Sequence, residues 1–246
     1  MPYGKVKGMS HQSKFIMAVH GAGMHAGVWG SLVGGLPLPC QAISFPGHGR
    51  TDGELLPSIE KMAEWINARL ADHSPQSVAL LGHSMGALVA LEAARHPAVS
   101  ALVLLGAAAR MPVHRELLSK AAEDCDAAVD MILKWGVSPV HPQVFAIRNV
   151  LQEQMRMAAP GALLGDLQAC HAYQGGAAAA QEIRKPVLIL AGLDDKLTKS
   201  AEGKALADMI PSAQFHVLPD CGHMPMVEKP AEIAKEISVF IEGLEN

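Results

Sequence analysis

The chain has few cysteines, and none of them has the spacing that metal sites or disulfide frameworks use. The four cysteines are scattered, at Cys40, Cys125, Cys170 and Cys221. Structural zinc sites and small disulfide-rich domains both need closely spaced cysteines. We therefore expect no metal site, and free thiols in a reducing compartment, the cytoplasm.

A strong charge of one sign and long apolar runs are also missing. The formal net charge is −4 over 246 residues, which gives no electrostatic basis for binding nucleic acid or an anionic membrane. The first apolar run, Phe15–Val19, is too short for a signal-peptide core or a membrane-spanning helix. There is no internal repeat and no coiled-coil seam. We expect a monomer or homodimer with no nucleic-acid or membrane partner.

The sequence instead alternates short apolar runs with helical patterns. The predicted strands are Phe15–Val19, Gln41–Phe45, Val78–Leu81, Ala101–Leu105, Val187–Ala191 and Gln214–Leu218. The predicted helices are Ser58–His73, Met85–Arg95, Ser200–Met209 and Ala231–Leu244. This alternation predicts an α/β fold with a mostly parallel central sheet flanked by helices. Because the strands are mostly continuous apolar runs and do not strictly alternate, we expect both faces of the sheet to be buried.

The alternation stops between about Ala107 and Arg184, where helical patterns are broken by prolines and glycines. This stretch predicts three or four short helices inserted after the strand that follows Met85–Arg95. We expect residues 107–184 to form a helical cap over a core made of residues 1–106 and 185–246. The segment Gly175–Ala180 is predicted to be the hinge or exit of the cap. A separate helical domain is the alternative.

The most informative motif is Gly-His-Ser-Met-Gly at Gly82–Gly86. It lies between a predicted strand and a predicted helix, where Gly-x-Ser-x-Gly forms a nucleophile elbow. The glycines are needed because the strand and the helix crowd a sharp, strained turn. The turn exposes the Ser84 hydroxyl and leaves the N–H of Met85 facing the same space. The motif therefore predicts a nucleophile and half of an oxyanion hole.

A serine needs a histidine base, and the histidine needs an acidic partner that fixes its tautomer. One candidate loop after a strand contains Asp194 and Asp195, and the last such loop contains His223. Both loops leave the carboxyl ends of predicted parallel strands, at the sheet edge where Ser84 also lies. The topology therefore brings these residues together, with either aspartate within reach.

Four blocks carry a resemblance to a known superfamily. They are His20-Gly21-Ala22-Gly23, Pro46-Gly47-His48-Gly49-Arg50-Thr51, the Gly82–Gly86 elbow, and Gly222-His223-Met224-Pro225 with Glu228 and Pro230 beyond. Together and in this order they resemble the α/β-hydrolase superfamily. Size and motif spacing are similar to the small capped serine carboxylesterases, which include the pimeloyl-carrier-protein methyl ester esterases.

The resemblance implies roles for individual residues. The family pattern Gly-x-x-Asp favours Asp195 over Asp194 as the triad acid, with Ser84 as nucleophile and His223 as base. It assigns the oxyanion donors to the backbone N–H groups of Ala22 and Met85. No cofactor is implied. Asp194 is then expected to hydrogen-bond the loop backbone.

The other histidines have different expected roles. His20 is expected to be structural, and His48 and His83 to be satisfied loop histidines. His25 is a candidate for substrate contact near the mouth. Methionines near the predicted site loops and in the cap suggest a permissive apolar pocket, although ordinary core packing explains each of them as well. Trp135 is a candidate for pocket lining or for the core.

The sequence predicts a serine hydrolase that cleaves carboxylic esters of small to medium apolar acyl or alcohol groups through an acyl-enzyme. The partner is a small-molecule ester. The alternatives are the same triad used for carbon–carbon bond hydrolysis, for thioester or lactone hydrolysis, or for perhydrolysis. A ligand receptor without catalysis is a remote alternative.

Overall fold

A single parallel sheet organises the fold in the computed structural model, which describes residues 14–74 and 77–244. Its strands are β1 (Phe15–Val19), β2 (Cys40–Ile43), β3 (Val78–His83), β4 (Val99–Leu105), β5 (Val187–Gly192) and β6 (Ala213–Leu218). The described strands pair in the order β2-β1-β3-β4-β5-β6, and every pairing is parallel. All six predicted strands are present, and the predicted fold class is confirmed.

The strand ends and edges differ from the prediction in two respects. β2 stops before Phe45 because the Phe45 N–H donates to the ring of His20 (Nε2, 3.2 Å) instead of continuing the ladder. The expectation of burial on both faces is wrong for the edge strands β2 and β6, which expose part of their length. The inner strands β3, β4 and β5 are buried throughout.

Helices cover both faces of the sheet. The described helices are α1 (Gly30–Val33), α2 (Ile59–Leu70), α3 (Met85–Ala93), α4 (Arg115–Glu123), α5 (Cys125–Gly136), α6 (Val144–Arg156), α7 (Ala162–Ala172), α8 (Gly176–Glu182), α9 (Ser200–Met209), α10 (Pro225–Glu228) and α11 (Pro230–Gly243), with a 3₁₀ turn at Ala26–Trp29. All four predicted helices are present. Ser58 caps α2, since its side chain accepts the Lys61 N–H at 3.3 Å.

The sheet separates two hydrophobic cores. The core on one face is made with α2, α3, α8 and α9, while the other includes residues of α11 and of the helices inserted between β4 and β5. Helix α2 buries one face at helical spacing, made of Ile59, Met62, Ala63, Ile66 and Leu70. The hydrogen-bonded sheet, with its buried inner strands, therefore fixes the carboxyl ends of β1, β3, β5 and β6 relative to one another.

The segment between β4 and β5 has more helices than expected. Five helices, α4 to α8, occupy it within the described residues, so the prediction of three or four is wrong. The additional helix is α8, in the alanine-rich stretch predicted to be a hinge. It packs against α3 and α9, so tertiary contact stabilises a short helix that would be marginal alone.

The prediction that the first residues hold no signal-peptide core falls largely on residues 1–13. Those residues lie outside the described part of the chain. Among the helices of the described ranges, none combines the length and the apolar character needed to cross a membrane.

The turn between β3 and α3 requires two glycines because backbones approach closely there. A Cβ on Gly86 would collide with the carbonyl oxygen of Val19 and lie 2.7 Å from that of His20. A Cβ on Gly82 would collide with the Gly86 carbonyl oxygen. The two glycines therefore let α3 start directly against β1 and β3.

We predict that Gly86→Ala lowers the free energy of unfolding by about 2–4 kcal/mol, because the colliding atoms are backbone and cannot move aside. Urea unfolding followed by circular dichroism measures the change. Gly165→Ala is the matched control, since a Cβ at that helical position meets no atom within 4 Å and is expected to stabilise slightly. Equal stabilities of the two variants would contradict the prediction.

Candidate active site

Ser84 lies at the tip of the turn between β3 and α3 with an unusual backbone. Its φ is 52°, in the left-handed region that residues other than glycine rarely adopt. The Ser84 N–H donates to the carbonyl of Leu105 at 2.9 Å, and its own carbonyl accepts the Ala87 N–H at 2.8 Å. Such strain persists only where the surroundings enforce it, and it is typical of functional turns.

His223 follows β6 and is bound on three sides. Its Nδ1 lies 2.7 Å from Oδ2 of Asp195. Its backbone N–H donates to the Gly136 carbonyl at 2.5 Å, and its carbonyl accepts from Nε2 of His83 at 2.8 Å. The contact between Nδ1 and the carboxylate fixes the tautomer whose Nε2 is free to accept a proton.

The structure brings Asp195, and not Asp194, to His223. The second oxygen of Asp195, Oδ1, accepts the N–H groups of Leu197 and Thr198 at 2.8 and 2.9 Å. Asp194 turns the other way, and its Oδ2 accepts the hydroxyl of Ser138 at 2.6 Å. The expected backbone role of Asp194 is therefore replaced by a side-chain bond to the α5–α6 loop.

The loop after β1 lies directly over Ser84. A Cβ on Gly21 would be 3.3 Å from the Ser84 Cβ, so the loop passes close to the serine. Ala22 lines the same cavity as Ser84 and His223. Met85 begins α3, which directs its backbone N–H toward the N-terminal end of that helix. Both predicted oxyanion donors thus belong to segments that adjoin Ser84.

A cavity of about 340 Å³ opens above Ser84 and is predominantly apolar. Helices α4, α5 and α7 contribute Leu117, Trp135 and Leu167, so the inserted segment forms part of its wall. Its described lining residues are Ala22, Met24, His83, Ser84, Met111, Pro112, Val113, His114, Leu117, Ile132, Trp135, Leu167, Cys170, Lys196, Leu197, Thr198, His223 and Met224. A volume of this order suits a small to medium ligand.

Several residues proposed from the sequence as pocket candidates are now placed. Trp135 is in the cavity wall, as are Met24, Met111 and Met224. Met226 is buried in the core. His25 is not among the lining residues; its Nδ1 instead accepts the Gly27 N–H at 3.0 Å as a helix cap.

The buried histidines around the site are kept neutral or charged by different surroundings. Burial, with the nearby His48, lowers the pKa of His20 to about 3, which agrees with its acceptor role toward Phe45. Burial and then the neighbouring His223 lower the pKa of His83 well below 6.5. His83 is only half satisfied, since its Nδ1 is buried without a hydrogen-bond partner among the described contacts. His48 instead contacts Asp166.

Glu228 is a residue whose role the sequence analysis missed. Its Oε2 accepts the N–H groups of Ser138 and Gly222, each at 2.9 Å, and its Oε1 accepts the Met224 N–H at 3.0 Å. Burial raises its pKa, and the three N–H donors oppose that effect. Glu228 thus holds both sides of His223 and joins them to the loop after α5. The sequence signal that could have revealed this role is that Glu228 belongs to the same block as His223, the fourth of those that carry the family resemblance.

Asp166 was also missed. It is the single acidic or basic residue (Asp, Glu, Lys or Arg) of α7, a mostly apolar helix, and only 3% of it is exposed. Its Oδ2 accepts the Gly23 N–H at 2.8 Å and lies 2.9 Å from Nε2 of His48. A lone carboxylate in a mostly apolar helix was the signal that sequence analysis could have used, because buried charges are normally paired.

A parallel sheet with a strained serine turn, and a buried histidine–carboxylate pair at the same sheet edge, defines a class: the hydrolases built on this α/β architecture. The chain belongs to the alpha/beta hydrolase family, whose model matches residues 16–236. The family is one of hydrolases, and the curated relatives described next are named as esterases.

Two curated relatives and a solved structure illustrate the match. A pimeloyl-[acyl-carrier protein] methyl ester esterase from Aromatoleum aromaticum is 29% identical, over 93% of this chain and 98% of the relative. An enzyme of the same name from Methylococcus capsulatus is 28% identical, over 92% and 94%. A hydrolase from Oleispira antarctica shares the fold, with a TM-score of 0.84 at 17% identity over 94% and 91% of the two chains.

We predict that Asp195→Asn reduces kcat by about 10³–10⁴-fold, because an amide can hold His223 in the wrong tautomer and cannot stabilise its protonated form. Asp194→Asn is the matched control and should lower kcat by less than about 10-fold, since that side chain bonds Ser138. Steady-state hydrolysis of p-nitrophenyl butyrate measures both. A larger loss in the Asp194 variant would assign the acid to the neighbouring residue.

We predict that Glu228→Ala lowers the free energy of unfolding by about 3 kcal/mol or more, because three backbone N–H groups lose their acceptor. Glu228→Gln retains one oxygen and should lose about half as much. Urea denaturation compares the two. Near-wild-type stability of the alanine variant would show that these N–H groups find other partners.

Proposed function

We propose that this chain hydrolyses carboxylic esters of small to medium apolar acyl or alcohol groups through a covalent acyl-enzyme. The observation that carries the proposal is the buried contact of 2.7 Å between Nδ1 of His223 and Asp195, beside the strained Ser84 in an apolar cavity. A base held by a carboxylate and placed near a serine is what acyl transfer requires.

In the proposed mechanism, Oγ of Ser84 attacks the ester carbonyl carbon while Nε2 of His223 takes the hydroxyl proton. Asp195 stabilises the resulting imidazolium through Nδ1–H. The N–H groups of Ala22 and Met85 bind the carbonyl oxygen as it becomes an oxyanion. The tetrahedral intermediate collapses, and the leaving alcohol receives the proton from His223.

Deacylation follows the same path with water in place of the serine. His223 removes a proton from water, the hydroxide attacks the acyl carbon, and Oγ of Ser84 leaves with the proton. The backbone donors again stabilise charge that exists only in the intermediate and the transition states. No cofactor enters the proposed mechanism.

We propose that residues 107–184 serve as a cap that shapes the acyl or alcohol pocket, over a core of residues 1–106 and 185–246. The contributions of Leu117, Trp135 and Leu167 to the cavity support this role. The names of the curated relatives make the methyl ester of a pimeloyl group carried by an acyl-carrier protein a specific substrate to test. The four free cysteines support a reducing cytoplasm as the compartment.

We predict that p-nitrophenyl esters from acetate to laurate are hydrolysed with an optimum at short or medium chain length, because the cavity is apolar and of limited volume. Ser84→Ala should abolish the burst of p-nitrophenol and reduce kcat by about 10⁴-fold or more. Wild type and variant are assayed side by side, together with methyl esters of the same acids.

A folded Ser84→Ala variant that retains turnover would overturn the mechanism. If wild-type protein does not hydrolyse these esters but its Ser84 reacts with a fluorophosphonate, the nucleophile serves another substrate. The reactions to assay are then hydrolysis of thioesters, of lactones and of carbon–carbon bonds in dienoic acids, together with perhydrolysis. Protein that binds ligands but neither turns over nor reacts with the probe would be a receptor.

A further inference from the structure

Asp166 joins helix α7 to two loops at the candidate site. Its Oδ2 accepts the Gly23 N–H at 2.8 Å and contacts Nε2 of His48 at 2.9 Å. Helix α7 also packs on the loop after β1, because a Cβ on Gly23 would lie 2.8 Å from Cδ1 of Leu163. Just before α7, the Ala159 N–H donates to the Gly47 carbonyl at 2.8 Å. Asp166 thus lies at the polar centre of the contact between the α7 region and the loops that follow β1 and β2.

His48 completes this arrangement as a cation. Its Nδ1 faces the Pro46 carbonyl at 2.9 Å, and its Nε2 faces the Asp166 carboxylate. Neither acceptor can donate, so both contacts are hydrogen bonds only when both ring nitrogens carry protons. Burial lowers the pKa of His48, but the hydrogen bond and charge of Asp166 and the backbone carbonyls raise it by more, so the net shift is upward.

Other titratable groups face the pair. The rings of His20 and His48 are 5.0 Å apart, and burial together with His48 lowers the pKa of both His20 and His25. On the helix side, burial and then Asp166 raise the pKa of the Cys170 thiol. These neighbours are therefore neutral. Among the described residues around this contact, Asp166 and His48 form the one charged pair.

We propose that Asp166 is a positioning residue for the oxyanion hole, which it controls by holding the Gly23 N–H. The Gly23 N–H belongs to the peptide unit that follows Ala22. Fixing that unit leaves the Ala22 N–H little freedom, because only the two backbone torsions of Ala22 separate the two peptide planes. This inference rests on the proposed function, in which Ala22 donates to the oxyanion.

The inference gives the inserted segment a second task besides shaping the pocket. Leu167, next to Asp166, lines the cavity, so the same turn of α7 touches the ligand space and holds the oxyanion loop. A residue that orients an oxyanion donor affects the transition state more than the bound substrate. Loss of Asp166 should therefore lower kcat and leave KM nearly unchanged.

The test compares Asp166→Ala and Asp166→Asn with the wild type. We expect kcat/KM for p-nitrophenyl butyrate to fall about 10- to 100-fold in the alanine variant, below the loss typical of deleting a whole donor. The asparagine variant keeps an oxygen acceptor without the charge and should fall in between. Asp130→Asn is the matched control, since this exposed acid of α5 bonds only Gln152 among the described contacts.

Two further readouts separate positioning from a merely structural role. An alkyl trifluoromethyl ketone adds to Oγ of Ser84, the proton passes to His223, and the hemiketal oxyanion occupies the hole. Its inhibition constant should rise by the same factor as kcat/KM falls, while the corresponding alkane-carboxamide, which forms no oxyanion, should bind as before. The rate at which a fluorophosphonate labels Ser84 should fall in parallel. Circular dichroism and thermal unfolding verify that each variant is folded.

The outcomes distinguish this inference from the proposed function. Wild type that neither hydrolyses esters nor labels at Ser84 would overturn both. Active wild type with folded Asp166 variants whose ketone affinity and labelling rate are unchanged would overturn the positioning role alone. If the alanine variant does not fold, the asparagine variant decides in the same way. Labelling also decides if the natural substrate is not one of the esters assayed.

Discussion

The close approach of three backbone segments around Ser84 is the constraint on which the site depends. Gly86 presses against the carbonyl oxygens of Val19 and His20, which leaves no room for a side chain. Two residues before this contact, the chain passes through φ 52° at Ser84. The first turn of α3, which follows the serine, is therefore packed directly against the end of β1. The surrounding sheet and helix hold the nucleophile in this strained conformation.

Around this fixed point, the other groups are held mainly by hydrogen bonds from outside their own loops. His223 is bound by Asp195 at one ring nitrogen, by Gly136 at its N–H and by His83 at its carbonyl. Glu228 collects the N–H groups on both sides of it. Several of these bonds reach the segment between β4 and β5. That segment is thus part of the support of the site, and its removal would leave buried donors unpaired.

Charge is used sparingly. Among the described residues, the buried ion pairs near the site are His223 with Asp195 and His48 with Asp166. One pair belongs to the proposed proton transfer and the other to the proposed positioning of the oxyanion loop. Both join distant parts of the sequence. A buried carboxylate without its histidine would be expensive, so each pair also selects a particular arrangement of its loops.

The sequence by itself determined the elements and their chemistry: six strands, the flanking helices, and a serine at a glycine-framed turn. These depend on local patterns, apolar runs and turn chemistry, that neighbouring residues specify. Only the tertiary structure decided which aspartate meets His223, that α8 forms, and that Asp166 meets His48. Those outcomes depend on contacts between residues far apart in the chain, where a shift of one position changes the partner. Asp194 and Asp195 are adjacent in sequence, yet one bonds Ser138 and the other His223.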